Sequence, residues 1–498
     1  MPSGWAWAAL DEFCAVTQGQ SPPGATYNSS GNGLPFFQGK AEFGAIYPTP
    51  VKWCSAPTKV AMPEDILISI RAPVGPTNLC PSVSCIGRGL AAIRPLGMIP
   101  PRFVLYGLRG TQNALAAKGT GSTFEAISGG DLRTHRLPVP PLNEQHRIVA
   151  EIEKQLTRLD AAVEGLKRVR TNLKRYRGSV LKAACEGRLV PTEAELARAE
   201  GGDYESAEVL LQRILKERRD AWEERELTST EREQQAPKRK GSRSKYREAS
   251  IFSERDLPML PKGWLWVTIE TLLSEPMCNG ISVKGSNNPP GIPALKLNAM
   301  TDRGFLYDVM RYIPISRTMA EDLKIVAGDF FVARGNGSLA LVGRGTRAQE
   351  APLEVVFPDT MIRLRFLSSV SSTNWVPTIW PSALVRRQIQ LRVKTTAGIW
   401  KIAQPQVASI VVPLPPLAEQ QRIVAEVERR LSIIEELETL VAANLKRAER
   451  LRQSILKRAF EGKIVPQDPN DEPASVLLER IRAERNATKS NGFLGARE

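Results

Sequence analysis

Histidine is almost absent from this chain, with His135 and His146 the only two in 498 residues. A histidine-ligated zinc site, or a nucleophile activated by an imidazole, has little to draw on. Six cysteines make no disulfide framework in a chain this long, and the one close pair, Cys80 and Cys85, has no second pair or histidine nearby. Uncharged apolar runs all fall well short of the ~20 residues needed to cross a bilayer. The opening MPSGWAWAALDEF lacks a basic n-region and a long apolar core, so a cytoplasmic location is expected. Acidic residues are in deficit, 53 against 68 Lys and Arg, giving a net charge of +15 and a pI near 9.6. That balance directs attention to nucleic acid without proving it. Hydrophobic content of 42% and charged content of 24% are those of a globular protein, and the length calls for two or more domains.

What the chain does have is a duplication. PVPPLNEQHRIVAEIE (138–153) returns as PLPPLAEQQRIVAEVE (413–428), an offset of 275 residues that also carries CEGRLVP (185–191) onto FEGKIVP (460–466). No gap is needed from Pro138 to Pro191, and 23 of 54 positions are identical. After a shift, ESAEVLLQRILKERR (205–219) resembles EPASVLLERIRAERN (472–486). A fainter repeat precedes each copy: GWAW (4–7) returns as GWLW (263–266), and EDILISIR (64–71) matches GDFFVARG (328–335) in pattern. The order is variable module, constant segment, variable module, constant segment.

The constant segments read as long helices. Ile148, Ile152, Leu156, Leu159, Val163, Leu166, Val169, Leu173, Tyr176, Val180 and Ala184 step by threes and fours, as do Ile423, Val427, Leu431, Ile434, Val441, Ala448, Leu451 and Ile455. Pro140–Pro141 and Pro415–Pro416 fix sharp starts. Gly187 and Gly462 stand where C-terminal caps belong, with Pro191 and Pro466 beyond. Each helix should run about 43 residues, or about 65 Å. An apolar stripe that long needs a cover. Either each helix packs on its own module, or the two pair as an antiparallel coiled coil, which the constant register favours. The variable modules hold short β-rich runs such as DILISIR, EVVF and MIRLRF, broken by SPPG, NSSGNG and NNPPG, and read as mixed α+β. TSTEREQQAPKRKGSRSKYREAS (228–250) lacks apolar periodicity and reads as a basic linker.

Three stretches imitate catalytic motifs. Asn288-Pro289-Pro290 approaches the adenine-methyltransferase signature, but Gly291 follows where an aromatic should stack on a flipped base. Gly335, Gly337 and Ala340 space like a dinucleotide fingerprint, yet LVGRGTR follows instead of a helix and an acidic residue. AKGTGST (117–123) lacks the G-K-[ST] of a phosphate loop. His135 and His146 read as structural or exposed, and Glu64–Asp65 as a turn edge without the surroundings of a general acid. The residues describe two binding modules on a two-helix ruler, with no catalytic centre.

The P-[LV]-P-P-L-x-E-Q-x-R-I-V start, the long helix, E-G-[RK]-[LI]-V-P and the duplicated layout closely resemble specificity subunits of type I restriction-modification systems. PFFQGKAEFG (35–44) and TTAGIWKI (395–402) are similar to segments of that family's recognition domains. The resemblance implies an α+β fold: two mixed target-recognition domains separated by two long helices pairing as an antiparallel coiled coil, with pseudo-twofold repetition. Its domains would be 1–137 and 258–412 for recognition, 138–227 and 413–498 for the helical spacers, and 228–257 for the linker. It implies a non-catalytic subunit that reads a split target in double-stranded DNA, one half per module, with helix length setting the gap. Two adenine-N6 methyltransferase subunits and restriction/translocase subunits would be its partners, and S-adenosylmethionine, ATP and Mg would belong to them. Exposed helix faces including Glu144, Gln145, Arg147, Glu419, Gln420 and Arg422 are docking candidates. The same six could instead form a capping and hinge network at the module–helix joint.

Arg and Lys facing guanine edges or phosphates, and Asn or Gln facing adenine, are the expected DNA contacts. Candidates are Lys40, Arg71, Lys118, Thr120 and Ser122 in the first module. In the second they are Lys296, Asn298, Arg334, Asn336 and Lys401. Arg71 and Arg334 follow the matched strands at comparable places. Two other classes stay open at this point. A self-contained methyltransferase or nuclease would incorporate methyl label by itself. A coiled-coil scaffold would show no sequence-dependent, salt-sensitive DNA affinity.

Overall fold

Pro140–Pro141 and Pro415–Pro416 each separate a short strand from a long helix. The computed structural model describes residues 1–119, 126–235, 257–351, 354–396 and 398–494. In it the strands Arg136–Val139 and Val411–Leu414 lead into the helices Leu142–Cys185 and Leu417–Phe460, each of 44 residues. The strands pair antiparallel with Ala6–Ala9 and Leu265–Thr268, so each GWxW segment is stitched to the far end of its own module. Both helices end alike. Gly187 (φ +63°) and Gly462 (φ +71°) take the left-handed conformation. The N–H groups of Arg188 and Lys463 then reach back to the carbonyls of Ala183 and Arg458, both at 2.9 Å, the Schellman pattern. Glycine is needed twice over here, because a Cβ at Gly187 would strike Pro261 and one at Gly462 would strike Pro2.

The chain forms two compact units that cut across its linear order: Met1–Arg168 with Val441–Glu498, and Val169–Leu440. Each unit holds one module, the start of the helix that follows that module, and the end of the other long helix. In the first unit Ile148 and Ile152 pack in one core with Ile455, Leu456 and Ala459, and with Phe103, Leu137 and Val139 of the module. In the second, Ile423 and Val427 share a core with Val180, Leu181 and Ala184, and with Phe330, Trp375 and Val412. At the 275-residue offset these are the same positions exchanged. Each fully buried Ile or Leu contributes roughly 1.5–3 kcal/mol relative to exposure. The following helices complete the cores: Leu210 and Ile214 of Ala207–Gln235 in the second unit, Leu477 and Ile481 of Ala474–Leu494 in the first. Their first turns are held alike, Ala207 N donating to Gly263 O and Ala474 N to Gly4 O, both at 2.9 Å.

The helices also carry facing ion pairs. In the first unit Arg452 meets Asp160; in the second Arg177 meets Glu438 at 3.1 Å and Glu435 at 4.0 Å. Arg177 and Asp160 align with Arg452 and Glu435 at the repeat offset, so the Arg177–Glu435 contact mirrors the first pair with the helices exchanged. The apolar stripe is less complete than its spacing suggests: Val169, Tyr176 and Leu451 are exposed. One facing helix covers a narrow seam, and a straight helix of 3.6 residues per turn carries a seven-residue repeat away from it.

Each module has its own four-stranded sheet, of the same order in both. In the first the antiparallel order is Cys14–Gln18, Leu90–Pro95, Ile66–Ser69, Thr77–Leu79; in the second it is Cys278–Asn279, Met361–Leu364, Phe330–Ala333, Gly345–Arg347. Helix Ala207–Gln235 runs through the first residues expected to be linker, and 236–256 lie outside the described residues. No helix among the described residues is long and apolar enough to cross a membrane.

Candidate nucleic-acid interface

Each module fixes its central strand by the same device. Before the strand, Glu64 (φ +66°) and Gly328 turn the chain through positive φ. The next residue is a buried aspartate. Asp65 accepts from Arg94 at 2.7 and 2.8 Å and from the Met62 N–H at 2.8 Å. Asp329 accepts from Arg365 at 2.6 and 3.2 Å and from the Val326 N–H at 3.0 Å. A buried carboxylate so paired ties the strand base to its neighbour. The clamp therefore fixes where the other strand end delivers its side chains.

At that other end each module has a cleft. In the first, Lys40, Ala41 and Glu42 of the turn Lys40–Glu42, with Gln38, Ser69, Arg71, Ala72 and Arg88, line a concavity of about 520 Å³. In the second, Leu297 and Asn298 of the turn Leu297–Ala299, with Met300, Ala333, Asn336, Leu341 and Arg344, line one of about 400 Å³. Backbone bonds show that the places correspond. Gly75 and Gly343 donate to Ser69 and Ala333 at 2.9 and 2.8 Å, and Ile127 and Ile402 donate to Ile70 and Arg334 at 3.0 and 2.9 Å. This register corrects the comparison of Arg71 with Arg334. Arg334 corresponds to Ile70, Gly335 to Arg71, and Asn336 to Ala72. The Arg334 guanidinium donates to Asp359 O at 3.3 Å and does not line the cleft.

Of the ten DNA-contact candidates, Lys40, Arg71, Asn298 and Asn336 line the two clefts. Lys296 donates to Asn287 at 3.0 Å beside its cleft, and Lys401 is exposed on strand Ile399–Lys401, opposite Gly335. Lys118 is exposed beyond helix Gln112–Ala116, away from the first cleft's lining. Thr120 and Ser122 lie outside the described residues. Sequence reasoning missed Gln38, Arg88 and Arg344. A signal existed for both arginines: each is the centre of a Gly-Arg-Gly tripeptide, 87–89 and 343–345.

The six docking candidates form the joint itself. Glu144, Gln145, Glu419 and Gln420 are all buried, which removes them from an exposed helix face and matches the hinge network. Gln145 and Gln420 donate to the carbonyls of Pro140 and Pro415 at 2.9 and 2.8 Å, pinning the helix to the preceding turn. Glu144 accepts from the Trp5 indole at 2.9 Å, and burial pushes its carboxyl above the ordinary range while Trp5 and Arg147 hold it down. Burial raises Glu419 likewise, against a 3.1 Å bond from the Glu193 N–H and the neighbouring Trp264 and Arg422. Arg147 and Arg422 are partly exposed and pair with Asp471 and Glu193, whose carboxylates are largely buried.

His135 is structural. It is buried, and Thr111, whose hydroxyl donates to Gly107 O at 2.9 Å, accepts from its Nε2 at 2.9 Å. Burial and the nearby Lys118 push its pKa down to about 4. Asn288-Pro289-Pro290 is an exposed turn, and Gly335–Asn336 is a short strand paired with Ile399–Lys401, not the start of a nucleotide-binding helix.

The family model of the type I restriction modification DNA specificity domain matches residues 2–172. A Methanocaldococcus jannaschii protein named as the MjaX type I restriction enzyme specificity subunit is 38% identical over 192 residues, covering 38% of this chain and 44% of that protein. The EcoKI type I specificity subunit of Escherichia coli is 25% identical over 443 residues, 86% of this chain and 82% of that one. The solved HsdS subunit from Thermoanaerobacter tengcongensis aligns with 93% of this chain and 98% of its own, at 19% identity and a TM-score of 0.49. Residues 2–172 thus carry a type I restriction modification DNA specificity domain, and the chain is similar over most of its length to a type I specificity subunit.

Proposed function

We propose that this chain is the non-catalytic sequence-specificity subunit of a type I restriction-modification complex. It reads a bipartite target in double-stranded DNA, one half with each module. The observation that carries this reading is the pair of clefts: same place in two sheets of the same order, different side chains. One frame with two linings suits two unlike half-sites. The long helices pair as an antiparallel coiled coil and set the gap. Support comes from the mirrored pairs Arg452–Asp160 and Arg177–Glu435 and from the exchanged core positions. Adenine-N6 methyltransferase and restriction/translocase subunits dock on the chain and bring S-adenosylmethionine, ATP and Mg. Ile433 and Leu437, one turn apart and exposed on the second long helix, support a docking face there. Glu144, Gln145, Arg147, Glu419, Gln420 and Arg422 then act beneath such faces, by fixing the angle at which each module leaves its helix.

The test is genome-wide adenine methylation by long-read sequencing, in matched cells with and without this gene. A split motif of two short half-sites around a fixed gap, lost on deletion, is the expected result. Methyl transfer by the isolated chain would sink the reading.

A further inference from the structure

The two clefts occupy one place in the fold but differ in chemistry. In the first, Lys40, Arg71 and Arg88 are exposed, and none is in an ion pair or a side-chain hydrogen bond with a described residue. The cleft's one carboxylate forms no ion pair with them: Glu42 accepts from the Gly39 N–H at 3.4 Å, which leaves one negative charge against three positive ones. Among the described residues, two guanidinium forks and an ammonium are thus without partners on one concave surface. A planar fork matches the O6 and N7 acceptors of guanine with two parallel hydrogen bonds, whereas an ammonium is a point charge suited to phosphate.

The second cleft has its cations engaged. Arg344 is held by Asp302 at 2.7 Å, and Lys296 beside it by Asn287 at 3.0 Å. What remains is amide and apolar. Asn298 is exposed with no side-chain hydrogen bond to a described residue, while Asn336 already accepts from the Ser338 N–H at 2.9 Å. Leu341 lines the same cleft and is exposed. An amide pairs bidentately with N6 and N7 of adenine, and an apolar side chain takes the C5-methyl of thymine; both groups belong to one A·T pair in the major groove.

We infer that the modules read unlike base pairs: Arg71 and Arg88 a G·C pair in the half-site of the first module, Asn298 with Leu341 an A·T pair in that of the second. This rests on the function proposed above. Lys40, in the same cleft, positions the backbone.

The test uses the full chain produced with its methyltransferase subunit in cells lacking both, with adenine methylation mapped for the wild type and for Arg71→Ala, Arg88→Ala and Asn298→Ala. A wild-type map without a split motif defeats the function proposed above, separately from this inference. Given such a motif, Arg71→Ala or Arg88→Ala should relax a G·C position in one half-site, its preference falling roughly five- to hundredfold. The other half-site should be unchanged. Asn298→Ala should relax an A·T position, other than the modified adenine, in the opposite half. The inference is overturned if the arginine and asparagine variants relax the same half-site, or if the motif is unaltered. It is also overturned if methylation falls evenly over all sites while purified complexes lose about one from the salt slope of DNA binding, the mark of phosphate contact. Thermal unfolding of each variant at the wild-type temperature ties an even loss to contact rather than misfolding.

Discussion

Arg147 donates to Asp471 at 2.6 Å, across 324 residues of sequence. Its counterpart Arg422 meets Glu193, so each helix start is fastened to the segment beyond the other helix's closing proline. Both arginines are partly exposed but their carboxylate partners are largely buried, so each pair is worth on the order of 1 kcal/mol, above a fully exposed pair. Asp471→Ala and Glu193→Ala should each lower stability by that small amount, and additively, since the pairs belong to different units. Double-mutant cycles by urea denaturation measure both.

Trp5→Phe should do more damage. It removes the one indole donor to the buried Glu144, whose other oxygen has no partner among the described residues. A stranded buried acceptor costs about 1–3 kcal/mol. The sign of the pH effect follows from the raised carboxyl of Glu144. A carboxyl raised in the folded state contributes stability below its unfolded pKa and loses it as pH rises through the folded one. Without Trp5 the folded value climbs further. The defect should therefore be larger at pH 7.5 than at pH 4.5, read from urea midpoints of variant and wild type.

His135 acts in the opposite sense. Its folded pKa is lowered to about 4 by burial, so the unfolded state binds its proton first. Its contribution is whole above the unfolded value near 6.5 and declines as pH falls toward 4, by up to about 1.4 kcal/mol per pH unit. His135→Gln should cost stability at pH 7 and flatten the acid decline. The difference between the two stability–pH curves over this window checks it.

Adding one heptad to each long helix should keep the apolar seam in phase. Seven residues at 1.5 Å add about 10 Å, or up to about three base pairs at 3.4 Å. The expected methylation motif keeps both half-sites and widens its gap. An unchanged gap would remove the helices from the role of spacer.

Much of this was legible in the chain. Paired prolines and terminal glycines located both long helices to within a residue or two, because those residues restrict the backbone locally. The short apolar runs of EDILISIR and GDFFVARG marked Ile66–Ser69 and Phe330–Ala333 as matched strands. What packs against what was not legible: periodicity shows that Ile148 and Ile455 belong to apolar faces, not that they share a core. Glu144 and Gln145 looked like surface residues because their types are mostly exposed; only the joint buries them. Arg71 and Arg334 slipped by one residue because Arg334 interrupts the apolar pattern where Ile70 continues it. Arg88 stands in a Gly-Arg-Gly turn outside the matched strand segments, and only the fold brings it to the cleft of Lys40 and Arg71.

The division of each long helix between two units has a mechanical consequence. Each unit contains residues from both sides of the stretch 236–256: the first joins 1–168 to 441–498, the second joins 169–235 to 257–440. A single cut of the backbone there leaves two fragments, neither of which owns all of the core that a module shares with the long helices. Each fragment therefore needs the other to close both of these cores, and a chain cut there should copurify as a pair of fragments.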